Sequence, residues 1–457
     1  MIQELTQDVK DWAVEQWGTA QLGDKRRPIR AATLGAQLAA NPGAQLPEQT
    51  GSWKDTKAAY RLLNEPDVTH SALGQPHWEA TRQRARLCDG AVLFIQDGTE
   101  ADYSHHPKVV GLGRLNKLKR HGMQIHTCLS VLLHTGEIGV AAQRVWQRPP
   151  KASGRESNYA MSLRATEYDV WGAVLQEIGP APEPASGVTW ISLGDRASDI
   201  YGYFRTAESL GWEVVARAAR DRLIHPLEGE RTYLLRWARQ LPSQATTPVE
   251  LRGRDGAPTR TGTLQVAWSA CDVPAPVHGK ERGGPRLRLS VVRAWEADPP
   301  AGVTPLEWIL VTSLVVAAAA DALQIIAYYE KRWLIEEYHK CLKTGCALET
   351  RQLESAAGLE ALLGFLAIIA VRLLHLKEAS RTQPDALARH FVAPELMTTL
   401  QSYLKLPPTD DLTLREFWRA VARLGGFLGR KHDGDPGWQT LWRGWLKLQD
   451  LAWQPTA

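Results

Sequence analysis

The chain has 457 residues, of which 44% are hydrophobic and 23% are charged, as expected for a globular protein of about three domains. This composition excludes a mainly disordered or collagen-like chain. Because the formal net charge is only +4, a nucleic-acid partner would have to be bound by local basic patches rather than by the overall charge.

The first 70 residues have the apolar spacing of helices separated by turns. We predict helices at Met1 to Trp17, Pro28 to Ala40, and Ser52 to Leu63. Many lysines and arginines lie in this segment, but acidic residues nearly cancel their charge. A DNA-contacting surface and an ordinary solvated surface are therefore equally compatible with this part of the sequence.

Between residues 75 and 345, short strand-like runs alternate with helical segments. The apolar run Ala91 to Ile95 predicts a buried strand, and the segments flanking residues 134–137 predict an antiparallel hairpin. A mixed sheet flanked by helices, of the α/β or α+β class, accounts for this alternation. The other predicted elements are strands at His126 to Leu133, Gly139 to Arg148, Val188 to Leu193, Trp212 to Arg217 and Thr304 to Ser313, and helices at Glu167 to Ile178 and from about Arg196.

A second β-rich segment interrupts this region. Its strands are predicted at Pro248 to Gly253, Gly262 to Val273, and Arg286 to Trp295. Basic residues outnumber acidic ones here, which is typical of a surface that follows a phosphate backbone. An excess of charge is equally typical of a sheet edge that must not pair with another sheet.

The remainder of the chain is predicted to be helical, beginning with one long helix from about Asp321 to Lys343. The apolar run from Leu359 to Leu374 contains Glu360 and Arg372 and is too short for a clean membrane span, so no membrane partner is expected. The acidic N-terminus does not resemble a secretory signal, and the five scattered cysteines favour the reducing cytoplasm. The other helices are predicted at Pro384 to Phe391, Pro394 to Leu404, Leu412 to Leu424 and Trp438 to Leu451.

Two aspartates follow predicted strands. Asp97 comes just after the run that ends at Ile95, and Asp195 follows the strand that ends at Leu193. The ends of strands are where α/β folds commonly place reacting groups. Each aspartate also has a purely local interpretation, Asp97 as a turn residue and Asp195 as a helix N-cap.

The predicted long helix carries the most informative pattern. At about 100° per residue, Tyr329, Arg332, Glu336 and Lys343 fall within one arc of roughly 60°. The neighbouring Glu337 falls outside this arc, so the periodicity selects Glu336 among the acids of the helix. A solvent-exposed charged face would show the same spacing.

Three carboxylates from separate elements could together hold two divalent ions. Their hard oxygen atoms suit Mg²⁺ or Mn²⁺. Two such ions can activate an attacking oxygen and stabilise the leaving oxygen in phosphoryl transfer. The adjacent arginine and lysine would balance the phosphate charge, and together with a tyrosine they would suit the end of a DNA strand.

The spacing Tyr329-x2-Arg332-x3-Glu336-x6-Lys343 resembles the Y-R-E-K signature of bacterial cut-and-paste DDE transposases. These are the transposon-five type within the insertion-sequence-four family. Further segments are similar to this family in the same order: LGDKRR (22–27), KAAYRLLN (57–64), IQDGT (95–99), GDRASDIY (194–201), TPLEWILVTS (304–313) and ARLGGF (422–427).

This resemblance implies an RNase H-like catalytic core, a mixed sheet flanked by helices, over residues 71–350. The β-rich segment 222–300 would be an inserted antiparallel subdomain. Residues 1–70 would form a helical DNA-binding domain, and residues 351–457 a helical dimerisation domain.

The resemblance also implies roles for individual residues. Asp97, Asp195 and Glu336 would be the catalytic residues that bind two Mg²⁺ (or Mn²⁺) ions. The remaining residues would bind DNA: Tyr329, Arg332 and Lys343 at the phosphates of the cleaved end, Trp308 and Arg217 at a flipped base, and Arg26, Arg27, Arg30 and Arg61 at the terminal inverted repeat.

The implied activity is excision and insertion of a mobile element by nicking, hairpin formation, hairpin resolution and strand transfer. The partners would be double-stranded DNA, as terminal inverted repeats and target, and a second copy of the chain in a synaptic homodimer. The expected location is the bacterial cytoplasm, at the nucleoid. Two alternatives stay open: a DNA-binding regulator of transposition that does not cut, and an RNase H-like nuclease that only hydrolyses.

Overall fold

A mixed β-sheet of twelve strands forms the centre of the fold in the computed structural model, which describes residues 9–116, 120–148, 167–251, 260–300, 302–430, 436 and 438–453. Every predicted strand coincides with one of these twelve, and β2, β7 and β8 have no counterpart in the sequence prediction. The strands are β1 Gly90–Asp102, β2 Gly113–Arg114, β3 His121–Leu132, β4 Ile138–Trp146, β5 Val188–Gly194, β6 Glu213–Arg217, β7 Leu223–Pro226, β8 Thr232–Tyr233, β9 Ala245–Leu251, β10 Arg260–Val273, β11 Leu287–Glu296 and β12 Glu307–Thr312.

Five of the strands form an RNase H-like core in the order β4-β3-β1-β5-β6. The first three pair antiparallel, whereas β5 lies parallel to both β1 and β6. The predicted fold class is therefore confirmed. The parallel register aligns Ile95 of β1 with Leu193 of β5, so the residues that follow them lie side by side.

Alternating side chains of β1 face two different hydrophobic cores. Leu93 and Ile95 contribute to a core that also contains the N-terminal and C-terminal helices. Val92 and Phe94 contribute to a second core, which includes Trp171. Both faces of the sheet are thus covered, as parallel strands require.

The strands of the predicted insertion extend the core sheet rather than forming a separate layer. β12 pairs antiparallel with β6 and with β11, and β10 and β9 follow. The arginines of β10 and β11 are paired with acids, so these two strands present little net positive charge; residues 252–259 lie outside the described chain. The ion pairs are Arg260 with Glu296, Arg288 with Asp272, and Arg293 with Glu307.

Helices dominate both ends of the chain and cover the sheet. Helix α5 was not expected from the sequence, because Gly74 and Pro76 interrupt its apolar pattern. Residues 1–8 of the helix predicted to begin at Met1 lie outside the described chain. The helices are α1 Val9–Trp17, α2 Arg26–Ala40, α3 Leu46–Thr50, α4 Trp53–Leu63, α5 His70–Leu87, α6 Val170–Ile178, α7 Tyr201–Ser209, α8 Leu234–Gln240, α9 Ala319–Glu330, α10 Trp333–Lys340, α11 Ala356–Thr382, α12 Pro394–Leu404, α13 Leu414–Leu424 and α14 Trp438–Trp453.

The prediction of a helix from Pro384 to Phe391 is wrong. Only one 3₁₀ turn forms there, at Ala388–His390. The backbone of this segment bonds to a neighbouring segment instead, because the Ala388 amide donates to the Leu412 carbonyl over 2.7 Å. The helix-like apolar spacing of a short segment is overridden by this tertiary pairing.

The prediction of one continuous helix from Asp321 to Lys343 is also wrong. The segment is divided into α9 and α10 by a tight turn, in which the Arg332 amide bonds to the Tyr329 carbonyl, three residues back, over 3.0 Å. After α10 the helix widens into a π turn at Cys341–Gly345. Such irregular turns change the angle between successive side chains, which sequence periodicity does not reveal.

Within the described part of the chain, one helix is long and apolar enough to cross a membrane, the segment Ala356–His375 of α11. Within the fold, 83% of this window is buried against the rest of the protein. Its apolar length is therefore explained by its position in the core between the sheet and the C-terminal helices.

One buried arginine links the N-terminal helices to the core by hydrogen bonds, in addition to their apolar packing. Arg351, only 1% exposed, donates to the carbonyls of Pro42 and Ala44 and to Gln49 Oε1 at 3.0 Å. It also binds the Cys346 carbonyl in its own loop, at 3.0 Å from Nε. The exact domain boundaries at residues 70 and 350 stay predictions.

Replacing Arg351 with Met should loosen this attachment. The substitution leaves buried carbonyl groups without donors, and we expect the docking of the N-terminal helices to weaken by about 3 kcal/mol. Limited proteolysis should then release the N-terminal segment earlier than in wild type. The matched control is Arg26→Met, at a side chain that is 88% exposed; equal proteolysis of both variants would contradict the role of Arg351.

Candidate active site

Asp97 on β1 and Asp195 directly after β5 lie side by side, because the two strands are neighbours in parallel register. Asp97 does not end its strand as the sequence suggested, because β1 continues to Asp102. Both local roles are present as well: Asp97 accepts a hydrogen bond from the Gly98 amide at 2.7 Å, and Asp195 caps a 3₁₀ turn through the Ala197 amide at 2.8 Å. These bonds orient the two carboxylates without using all of their oxygen lone pairs.

Glu336 reaches the same place from α10. Its side chain is 32% exposed, whereas the adjacent Glu337 is buried and turned toward Lys377. The guanidinium of Arg332 joins the acids, with Nη2 at 2.7 Å from Glu336 Oε1 and Nη1 at 3.9 Å from Asp97 Oδ2. The structure therefore brings Glu336 and Asp97 to opposite sides of one cation.

The other two carboxylates lie close enough to Asp97 to oppose its ionisation. Burial raises the pKa of Asp97 to about 6, and the negative charges of Asp195 and Glu336 act in the same direction. The Gly98 amide and the Arg332 guanidinium partly offset this rise. A site that concentrates negative charge in this way has a strong affinity for cations.

An aromatic and cationic group adjoins the acids. Tyr329 is 4% exposed and lies close to the guanidinium groups of Arg332 and Arg217, and its ring lies 5.5 Å from that of Trp308 in an edge-on contact. Burial raises the pKa of Tyr329, and the nearby charge of Asp195 acts in the same direction. Arg217 also donates to the Glu307 carbonyl at 2.8 Å, and burial lowers its pKa.

Lys343 is placed differently from the other signature residues. It lies in the π turn after α10, and its Nζ is 3.3 Å from Glu349 Oε1. Glu349 in turn accepts a hydrogen bond from the Asp102 amide, at the far end of β1. The fold thus brings Tyr329, Arg332 and Glu336 together, whereas Lys343 pairs with Glu349 outside this cluster.

The four N-terminal arginines have unequal roles in the structure. Arg27 pairs with Glu65 and Asp67, and Arg30 pairs with Asp55 at 3.0 Å. Arg26 pairs with its sequence neighbour Asp24, at 2.9 Å. The exposed Arg61 forms no ion pair within the described residues. The four pairing acids are Asp24, Asp55, Glu65 and Asp67.

Trp333 is a residue at this site that the sequence analysis missed. Its indole is 44% exposed, and the Arg332 guanidinium lies 5.4 Å from the ring centre. The available signal was its position directly after the signature arginine. Eighteen tryptophans in the chain made any one of them uninformative.

The three carboxylates are chemically suitable ligands for a divalent metal ion. Carboxylate oxygens on β1, after β5 and on α10 are the ligands that Mg²⁺ and Mn²⁺ prefer. As they are placed, no three His, Cys, Asp or Glu side chains of the described segments close around a single ion. The Arg332 guanidinium lies between two of the carboxylates and balances charge there.

Three family models match the chain in succession. Residues 9–68 match "Transposase DNA-binding", residues 165–372 match "Transposase DDE domain" and residues 368–454 match "Transposase Tn5 dimerisation domain". The chain belongs to the Tn5-type DDE transposases. Asp195 and Glu336 lie within the DDE match, whereas Asp97 precedes it and is linked to the site by the β1–β5 register.

A solved structure is also similar to this transposase, with 11% sequence identity and a TM-score of 0.35. It is the cryo-EM structure of the piggyBac transposase synaptic complex with hairpin DNA. The similarity covers 83% of this chain and 73% of the piggyBac chain.

The family assignment establishes the general activity of this transposase. It is a DNA transposase, a polynucleotidyl transferase and endonuclease that depends on a divalent metal. It binds DNA and forms a dimer. The predicted function, enzyme class and family are therefore confirmed at this level.

The raised pKa of Asp97 predicts a pH-dependent stability in the presence of EDTA. Because the pKa of Asp97 rises on folding from 3.8 to about 6, folding favours the protonated form, and this group destabilises the protein increasingly as the pH rises through that interval. Asp97→Asn mimics the protonated form. Its stabilising effect should be larger at pH 7.5 than at pH 5 by about 1–1.5 kcal/mol.

Urea unfolding of both proteins at the two pH values measures this difference. Asp89→Asn, at an exposed carboxylate just before β1, is the control and should leave the pH dependence unchanged. If Asp97→Asn behaved like this control, the pKa of Asp97 would not be raised by the fold.

Proposed function

We propose that Asp97, Asp195 and Glu336 are the catalytic carboxylates and together bind two Mg²⁺ (or Mn²⁺) ions. The observation that carries this proposal is the convergence of the three acids: the parallel register of β1 and β5 places Asp97 beside Asp195, and the Arg332 guanidinium contacts both Asp97 and Glu336. Bound ions would supply Lewis-acid activation of an oxygen nucleophile and stabilisation of the leaving oxygen. The three side chains would hold the ions from two strands and a helix, elements that are rigid enough to fix a reacting geometry.

We propose that one such site carries out four successive reactions at phosphorus. Water cleaves one strand at the transposon end and releases a 3′-hydroxyl. This hydroxyl attacks the opposite strand and forms a hairpin, a second water opens the hairpin, and the 3′-hydroxyl then joins target DNA. Each step is an in-line displacement of one oxygen by another, so the same set of side chains serves all four.

In this proposal the cationic and aromatic cluster holds the DNA end. Tyr329 and Arg332 contact phosphates beside the carboxylates, and Lys343 reaches the phosphate backbone beyond the end of α10. Trp308 and Arg217 hold a base that leaves the stack during hairpin formation, since a partly exposed indole offers a stacking surface that offsets the cost of unstacking. The mutual contacts of Tyr329, Arg217 and Trp308 support a joint role.

We propose that the terminal inverted repeat is bound by one face of α4. Trp53 is 74% exposed, and Lys57, Arg61 and Asn64 follow it along the same stripe, all exposed to solvent. The stripe is about 16 Å long at 1.5 Å per residue, and a helix of that size fits the major groove.

The charge of this stripe is positive because nearby acids are neutralised from within the domain. Arg30 pairs with Asp55, and Arg27 pairs with Glu65 and Asp67. Arg27 and Arg30 therefore support DNA binding indirectly, whereas Arg61 contacts DNA. Arg26 is 88% exposed and lies at the N-terminus of α2, where it can reach a phosphate.

The assembly we propose is a synaptic homodimer that holds two transposon ends in the bacterial cytoplasm, at the nucleoid. The C-terminal dimerisation match supports the dimer. Pairing of two ends by two chains would ensure that cutting starts only when both ends are present.

Removing any one of the three acids should abolish cleavage and leave end binding intact. The variants Asp97→Ala, Asp195→Ala and Glu336→Ala lose metal ligands but no part of α4, so we expect cleavage to fall at least about 10³-fold. Gel assays with Mg²⁺ and labelled end DNA measure nicks, hairpins and joined products. Glu330→Ala, at an exposed acid on α9, is the control and should cut normally.

The same assay separates the alternative functions. Wild-type protein that only nicks, without hairpins or joined DNA, would be a hydrolytic nuclease. Wild-type protein that binds ends but never cuts would be a regulator. Retained cutting by any of the three alanine variants would refute the assignment of that residue.

Removing basic side chains from α4 should weaken end binding through lost phosphate contacts. For Lys57→Ala and Arg61→Ala, the slope of log affinity against log salt should decrease by about 1 per lost contact. Fluorescence anisotropy between low and moderate salt measures the slope. Arg389→Ala removes an exposed arginine from the C-terminal part and should leave it unchanged; equal slopes for all variants would exclude the α4 face.

A further inference from the structure

A buried ion pair lies directly behind the candidate active site. Glu337, 5% exposed, follows Glu336 on α10, and its carboxylate contacts the Lys377 ammonium of α11. Lys377 is only 4% exposed. The half-exposed Lys340 lies 3.4 Å from the other oxygen of Glu337, so both oxygens of this carboxylate are engaged. Nothing in the four reaction steps uses either member of the pair.

Few side-chain contacts fix the rotation of the helix that carries Glu336. Besides its contacts with α11, the Tyr338 hydroxyl accepts a hydrogen bond from Gln143 of β4 at 3.1 Å, and Arg332 pairs with Glu336. α10 has eight residues, and it is preceded by a tight turn and followed by a π turn. Neither turn continues the regular helical ladder, so side-chain contacts must set the angle of α10 about its axis. The apolar contribution comes from Ile335 and the ring of Tyr338, both fully buried, but apolar packing has no preferred direction of bonding.

A hydrogen bond and an ion pair to α11 have preferred directions, so they can set the rotation of α10. The Tyr338 hydroxyl donates to the Ala367 carbonyl at 3.2 Å, and the neighbouring Glu337 pairs with Lys377, about three turns farther along α11. A carboxylate on a helix lies about 5–6 Å from its axis, so a rotation of about 20° would move the Glu336 carboxylate by about 2 Å. Displacements of about 1 Å can cost about 100-fold in rate.

We propose that Glu337 and Lys377 are positioning residues that hold Glu336 at the metal site. The inference rests on the proposed metal-binding role of Glu336. Lys377 lies within the dimerisation match, which begins at residue 368, and α11 runs through the end of the DDE match as well. The pair therefore joins the active-site helix to the region that forms the dimer.

The deciding variant exchanges the ion pair for an apolar pair, Glu337→Met with Lys377→Met. Replacing a buried ion pair by apolar residues of similar volume is often neutral for stability, so the thermal midpoint should stay near that of wild type. The directional restraint is lost, however. We expect binding of Mn²⁺, measured by electron paramagnetic resonance of the full-length protein, to weaken about tenfold, and single-turnover nicking to slow about 10- to 100-fold.

Two further variants test whether the effect is specific to the ion pair and to the metal site. Lys377→Arg keeps the pair and should bind Mn²⁺ like wild type. Glu336→Ala tests the role on which the inference rests: if it bound Mn²⁺ as wild type does, the proposed metal site itself would fail. If Glu336→Ala lost Mn²⁺ but the methionine pair bound and cut like wild type, the pair would be only structural and the inference would be overturned.

If the double methionine variant does not fold, exchanging the two charges of the pair tests the same inference. Glu337→Lys alone places two ammonium groups together and should lose both Mn²⁺ binding and nicking. Adding Lys377→Glu restores an ion pair of reversed polarity and should recover much of both. Recovery of folding without recovery of Mn²⁺ binding would overturn the inference.

Discussion

The burial of one carboxylate beside two others is the constraint on which the candidate active site depends. Burial and the charges of Asp195 and Glu336 all disfavour the ionised form of Asp97, so the raised pKa of Asp97 expresses the cost of ionising this group inside the fold. The fold offsets this cost because each acid lies on or beside an element that other contacts already hold in place. Two strands in parallel register hold the aspartates, and packing against α11 holds the glutamate.

Much of the architecture could be predicted because it follows from short-range patterns. Apolar runs such as Ala91 to Ile95 mark buried strands, and the signature of Tyr329, Arg332 and Glu336 selected residues that the fold does bring together. Helix α5 escaped prediction because Pro76 lies inside it and tertiary packing outweighs the lost hydrogen bond. The roles assigned to individual site residues are still predictions that the experiments above must test.

The spacing of residues along the chain does not reveal which acid each arginine pairs with. The sequence shows Arg27, Arg30 and Arg61 only as three bases near several acids. Pair formation across the helical domain, such as that of Arg30 with Asp55, depends on distances that no local pattern contains. As a consequence, some arginines neutralise nearby acids, and other arginines stay exposed and available to a phosphate backbone.

The interruptions of the helix around the signature show why its spacing works in three dimensions. In a 3₁₀ turn, side chains three residues apart lie one above the other, so the turn between α9 and α10 brings the Tyr329 and Arg332 side chains into contact. In a continuous α-helix they would diverge by about 60°. The later π turn rotates the chain less per residue, and Lys343 accordingly lies beside Glu349 rather than beside Glu336. A signature that appears to describe one helical face therefore describes two helices, whose relative rotation is set by the irregular turn between them and by the contacts of α10 with α11.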